Sequence, residues 1–292
     1  MLAQQLLNGV VLGATYALFA TGFTLVFGVL RVIDLTYGVL VSVAGLLAWW
    51  LTDSGLPLIA AIPLVVVACA ALAVGLETLL LRRLRRRAAP ELASLMVTLG
   101  AALALYAVLS AVAGSDMHRL SPELLPQRAV LIGPLRLTFA QILVMGAALI
   151  AVFALTFALQ ETRWGIAVRA LAERPEAAAL VGIDTAMLSR YVTAVGGGLA
   201  GLAGALIALS TNSVQPYMGE ALMLRGFVVV IVGGLGSIPG ALVAGLGLGL
   251  IEALTAAYAT SGLKEAAAFS ILVIVLWTRP AGLFGRPSLG RA

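Results

Sequence analysis

LPLIAAIPLVVVACAALAVGLETLLLRRLRRR, from Leu56 to Arg87, is the stretch that decides the fold. Up to Leu81 it is apolar save for Glu77 and Thr78, and it then ends in Arg82, Arg83, Arg85, Arg86 and Arg87. A helix needs about 20 mostly apolar residues to cross a bilayer, and this run supplies them. Arginines just beyond a span stay on the cytoplasmic side. The segment therefore reads as a membrane crossing that ends inside the cell.

The same pattern continues in both directions. Apolar blocks run over Leu6–Leu30, Leu35–Leu51, Leu92–Ala113, Leu137–Leu159, Tyr191–Leu209, Ala221–Tyr258 and Ala266–Trp277. The long block after Ala221 is broken at Gly233, Gly234, Gly236 and Pro239. Of the 292 residues, 62% are hydrophobic and 11% charged, against roughly 25% charged in a soluble domain. The expectation is an all-α, polytopic membrane helix bundle. It has about eight or nine membrane segments, some of them broken, in a single domain over residues 1–292. Membrane lipid is its surrounding partner.

The net charge of +5 does not indicate nucleic acid, because the basic residues sit in short loops between apolar runs. Arg163, Arg169, Arg174 and Arg190 lie in or beside one loop, and Arg279, Arg286 and Arg291 lie in the C-terminal tail. With the Arg82 cluster they mark the cytoplasmic face. The loop with Asp116, His118 and Glu123 then faces outward, although it carries Arg119, Arg128 and Arg136. Counting back places the N-terminus outside, and the first residues read as the start of the first helix. Cys69 is the only cysteine and His118 the only histidine. No disulfide, metal site or cofactor is expected, nor any catalytic constellation.

Two interrupted segments resemble each other: GFTLVFGVLRVIDLTYGVLVSVAG, from Gly22 to Gly45, and GFVVVIVGGLGSIPGALVAG, from Gly226 to Gly245. Gly38 and Gly240 correspond. Matching broken segments in two halves of a transporter point to the solute path, since open backbone must pack in protein or face a wet cavity. The candidate path residues are Asp34, Thr36, Tyr37 and Gly38 at the first break and Gly234, Gly236, Ser237 and Pro239 at the second. Arg31 lies on the face of Asp34 if the helix continues, which suits an ion pair. Glu77 suits an interfacial, snorkelling position, and Glu252 reads either as structural or as facing the lumen. Gly196, Gly197, Gly198, Gly201 and Gly204 suit close helix packing. Trp49 and Trp50 suit an interfacial belt, and His118 an exposed loop. Asn212, Ser213, Gln215, Tyr217 and Glu220 form a polar turn or a contact for a delivery protein.

ETRWGIAVRALAERPEAAALVGIDTAMLSR, from Glu161 to Arg190, is the main charged loop. Pro175 suits the first turn of a short helix and Gly182 its C-terminal stop. Such a helix either dresses the cytoplasmic surface or docks on another protein.

In this loop Arg163, Gly165, Ala167, Arg169 and Ala170, then Ala177, Ala178, Gly182, Ile183 and Asp184, resemble the coupling loop of branched-chain amino-acid ABC permeases. LLNGVVLGATYALFATGFTLVFGVLRVIDLTYG, VVVIVGGLGSIPGALVAGLGLGLIEAL and RPAGLFGR, ending at Arg286, resemble other signatures of that family in the same order. The resemblance runs from about Leu6 to Arg286 and implies an ABC importer permease fold. It implies a bacterial inner-membrane location, two ATPase subunits, a second and related permease chain, and a periplasmic or lipid-anchored solute-binding protein. Coupling would pass through Arg163, Gly165, Arg169, Glu173, Glu176, Ala177, Ala178 and Gly182. The chain itself would be no enzyme; it lacks a G-x-x-x-x-G-K-[ST] loop, and Lys264 is its only lysine. Asp34-Leu35-Thr36-Tyr37-Gly38 departs from the family's Asn-apolar-Ala-His-Gly at the first break. Branched-chain amino acids are the first expectation for cargo, with urea, short amides and organic acids as alternatives. A stand-alone secondary carrier is the competing reading.

Overall fold

A computed structural model describes residues 2–86, 90–114, 116–120, 129–132, 135–258 and 262–285. Arg87, Glu123, Arg128, Arg286 and Arg291 lie outside the described residues. Twelve helices account for most of the rest. In order they are α1 (Leu2–Leu30), α2 (Thr36–Asp53), α3 (Leu58–Leu76), α4 (Arg82–Arg86), α5 (Glu91–Ala113), α6 (Phe139–Glu161), α7 (Arg163–Glu173), α8 (Pro175–Leu180), α9 (Thr185–Thr211), α10 (Met218–Gly233), α11 (Ile238–Tyr258) and α12 (Leu263–Thr278). Helix is the rule because hydrocarbon offers backbone groups no water, so each segment must satisfy its own N–H and C=O.

Seven of these helices are long and apolar enough to cross a membrane. Helices α10 and α12, 16 residues each, are shorter, and α10 begins inside the bundle, where Gly219 packs on Gly38 of α2. The two membrane faces follow from contacts. At one, Gln4 exchanges hydrogen bonds with the Arg136 backbone at 3.0 and 2.9 Å, and His118 pairs with Val214. At the other, Arg31 reaches Ala172 and Glu173, and Leu283 and Phe284 donate to the carbonyls of Val232 and Gly233. The second face carries Arg82, Arg163 and Arg279 and is therefore cytoplasmic. The N-terminus lies on the outer face, as the arginine count requires.

Helix α1 is the axis of the molecule and is buried along most of its length, with α2 and α9 beside it. Most of α3, α5 and α6 is turned outward. Lipid tails are as apolar as leucine, so close van der Waals contact holds helices together here, and small residues permit it. Gly9, Gly13 and Ala17 of α1 meet Gly245, Gly249 and Ala253 of α11. A Cβ added at Gly13 would lie 2.7 Å from the Leu246 Cα, and one at Gly245 would lie 2.6 Å from the Ala17 Cα. The two backbones touch. On α9, Gly197 and Gly201 face Ala73 and Cys69 of α3, while Gly204 faces Val41 and Ala44 of α2. The glycine spacing read from α9 thus serves close packing.

Four local expectations are corrected. The helix stops at Leu30, and Arg31 turns the chain with φ 52°, so its side chain leaves Asp34 and no ion pair joins them. Glu77 does not snorkel: it is 1% exposed and opens a π-helical turn, Glu77–Leu81, that interrupts the end of α3. Leu137 belongs to an antiparallel hairpin, β1 (Ala129–Ile132) with β2 (Leu135–Thr138), and not to α6. The Gly133-Pro134 pair between the strands is a turn signal. His118 is half-buried, stacked on Trp49 with ring centroids 4.0 Å apart.

Candidate coupling surface and solute path

The loop between α6 and α9 is built as two short helices. Thr162 caps α7, its hydroxyl accepting from the Gly165 amide at 3.1 Å. Gly165 presses on the last turn of α6, and a Cβ there would collide with the carbonyls of Ala158 and Leu159. Arg169 donates to the Leu159 carbonyl, placing a cation at the negative end of α6. Val168 and Leu171 pack with Leu25, Val29, Leu155, Leu159, Leu188 and Val192, which fastens α7 to α1, α6 and α9.

Pro175 occupies the first turn of α8, where its missing N–H costs nothing. Gly182 ends the segment with φ +84°, a conformation glycine adopts freely. The Gly182 amide donates to Ala179 and the Ile183 amide to Ala178, both at 3.1 Å. Asp184 then caps α9, accepting from Ala186 and Met187 at 3.0 and 2.9 Å. Ala178 is the buried residue of α8. Arg163, Glu173, Glu176, Ala177 and Gly182 are exposed. Leu180 and Val181 stand out at the tip, 89% and 76% exposed. The sequence reading had not singled out those two; two apolar residues before a stop glycine in a cytoplasmic loop were the available signal.

Arg31 connects this loop to the first break. It donates to the carbonyls of Ala172 and Glu173 at 3.0 and 3.2 Å, in the last turn of α7. Three residues on, Asp34 accepts from the Thr36 amide at 2.9 Å and from its hydroxyl at 2.6 Å, which starts α2. Tyr37 is buried, donates to the Gly196 carbonyl and lies edge-on to Phe19 and Phe23. Gly38 faces Gly219 and Met223 of α10.

The second break spans residues 234–237. Gly234, with φ +102°, packs on Gly285 of the tail. Gly236, with φ +85°, approaches Gly28 near the end of α1. The Ser237 hydroxyl accepts from the Gly240 amide at 3.2 Å, while Pro239 is exposed. The first break thus runs from the cytoplasmic end at Arg31 into the bundle, where Gly38 meets α10, and the second lies against the last turns of α1. The residues of the two breaks do not converge on one shared contact. Gly38 does not repeat the surroundings of Gly240, which packs on Gly233 within its own hairpin.

Charged residues in mid-membrane were only half legible. Glu252 was visible in its block, but Arg225 passes unnoticed in the apolar run after Ala221. In the structure they form a salt bridge of 3.0 Å. Among the described residues no cluster of metal-ligating side chains occurs.

Comparison with known proteins agrees with this architecture. The family described as branched-chain amino acid transport system, permease component, matches residues 5–277. The high-affinity branched-chain amino acid transport system permease protein LivH of Escherichia coli K12 is 32% identical over 98% of this chain and 96% of its own length. LivH of Salmonella typhimurium LT2 is 31% identical and BraD of Pseudomonas aeruginosa PAO1 29% identical, with the same coverage. No solved structure matches. Coverage of nearly the whole chain by both kinds of match, over a bundle with seven helices long and apolar enough to cross a membrane, leads to one assignment: the chain belongs to the permease-component family of branched-chain amino acid transport systems.

Proposed function

We propose that the chain is the membrane-spanning subunit of an ATP-driven importer in the bacterial inner membrane and that its cargo is branched-chain amino acids. The observation that carries this reading is α8. It is a short helix with a prepared start and stop, held away from the bundle on the arginine-rich face with Leu180 and Val181 uncovered. Two uncovered apolar side chains at the tip of a surface helix suit a protein contact more than water. A nucleotide-hydrolysing partner needs something to pull.

In this reading α8 seats in a cleft of an ATPase subunit. Arg163, Gly165, Arg169, Glu173, Glu176, Ala177, Ala178 and Gly182 form or support the contact. Motion of α8 passes to α7 and, through Arg31, to the chain reversal ahead of α2. Asp34, Thr36, Tyr37 and Gly38, with Gly234, Gly236, Ser237 and Pro239, frame the inner end of the path. The chain hydrolyses no ATP itself. Two ATPases, a second permease chain and a solute-binding protein on the outer face complete the assembly.

The test is affinity purification of the tagged chain from its native membrane, followed by mass spectrometry. Recovery of an ATPase and a second permease supports the reading. Recovery of the chain alone, in a detergent that preserves other ABC complexes, points to a stand-alone carrier.

A further inference from the structure

A charge cluster lies in the middle of the bundle. Tyr16 is the central residue of α1, Arg225 is central in α10, and Glu252 is in the second half of α11. The Arg225 Nε is 3.0 Å from the Glu252 Oε1. The Tyr16 hydroxyl donates to the Glu252 Oε2 at 2.7 Å. The guanidinium carbon stands 5.9 Å from the centroid of the Tyr16 ring. The carboxylate is thus hydrogen-bonded through Oε2 and in ionic contact only through Oε1, and Glu252 is 3% exposed.

Arg225 is different. Its side chain is 27% exposed. Its Nε lies beside the carboxylate as an ionic contact without a hydrogen bond, and among the described residues its terminal amino groups donate no hydrogen bond. A guanidinium open to hydrocarbon at mid-membrane costs about 2.5–3.5 kcal/mol on insertion scales, so such residues face a bundle interior or water. The face of α10 that carries Arg225, together with the exposed Leu224, therefore turns away from lipid. What remains open is the edge with two parallel N–H groups, the edge that grips a carboxylate bidentately.

We propose that Arg225 is a solute-binding residue of the translocation path, oriented by Glu252 and Tyr16, and that it recognises a carboxylate. The cargo class is then amino acids or organic acids and excludes urea and simple amides. This inference rests on the importer reading above.

The test uses the complete transporter in proteoliposomes: both permease chains, the ATPases and the binding protein. The readout is ATP-driven uptake of radiolabelled leucine. Arg225→Gln alone strands a buried carboxylate and disturbs assembly for that reason. The decisive variant is the neutral pair Arg225→Gln with Glu252→Gln, which removes both charges together. It is expected to co-purify with its partners as the wild type does, yet to take up leucine about tenfold more slowly or worse. Arg225→Lys, which keeps the charge but loses the fork, is expected to lose uptake in the same direction. Wild-type uptake by the neutral pair overturns the inference and leaves a structural salt bridge. Failure of the neutral pair to assemble also overturns it, because the cluster is then a scaffold. A wild-type complex without ATP-driven leucine uptake overturns the importer reading itself, before any variant is compared.

Discussion

Replacing Gly182 with valine tests α8 directly. Gly182 holds φ +84°, and a Cβ there meets nothing within 4 Å, so the substitution acts through the backbone and not through a clash. An L-residue in the left-handed region costs about 1–2 kcal/mol. That energy lowers the equilibrium constant for the native turn by a factor of about 5–30. Relaxing the strain breaks the bonds from Gly182 to Ala179 and from Ile183 to Ala178 and lets α8 leave its orientation. The damage stays local. Helix α7 is fastened by Val168 and Leu171, and α9 has its own cap in Asp184. The reconstituted complex is expected to keep its unfolding temperature within a few degrees while uptake per ATP hydrolysed falls, by up to about 30-fold. Gly182→Asn, which tolerates positive φ, is expected to stay near wild type. Full coupling in a well-expressed Gly182→Val complex would remove α8 from the transmission and sink the reasoning.

Substitutions at three further positions separate packing from path. Gly249→Ala puts a methyl group against the α1 backbone, 2.6 Å from the Gly9 carbonyl oxygen; thermal unfolding in detergent is expected to show a loss of about 1–3 kcal/mol. Asp34→Ala removes the buried acceptor for the Thr36 amide and hydroxyl and is expected to cost about 1–3 kcal/mol. Asp34→Asn keeps an acceptor oxygen and is expected to preserve stability while changing the uptake rate; an unchanged rate and substrate profile would take Asp34 out of the path. Tyr37→Phe removes the hydroxyl that donates to Gly196 and keeps both aromatic contacts, so a loss of about 1 kcal/mol in unfolding is expected.

The crossings were legible in the sequence because span length is set by bilayer thickness and orientation by arginine placement, both local properties. The helix from Pro175 to Leu180 was legible for the same reason, since one residue starts it and one stops it. Arg31 was misread because pairing with Asp34 assumes a continuous helix, and the left-handed backbone at Arg31 carries its side chain to α7 instead. Arg225 was missed because a single charge barely lowers the hydropathy of its window. Its partner lies in the next segment, beyond a break, so neither residue explains the other until the hairpin is closed. Tyr16 carries no local signal for a similar reason: its hydroxyl finds its acceptor at a sequence separation of 236.

The salt bridge between α10 and α11 also bears on how the chain is made. Helix α10 has 16 residues with an arginine at its centre, and on insertion scales that arginine alone costs about 2.5–3.5 kcal/mol. It is a poor candidate for release into lipid as a single span. Glu252 follows it out of the ribosome and carries a similar liability in α11. Entering the bilayer together, as a closed hairpin across the short 234–237 turn, each segment cancels the other's charge. Biosynthesis of this chain should therefore stall or misinsert when α11 is truncated before Glu252, with α10 left outside the membrane although its own sequence is intact.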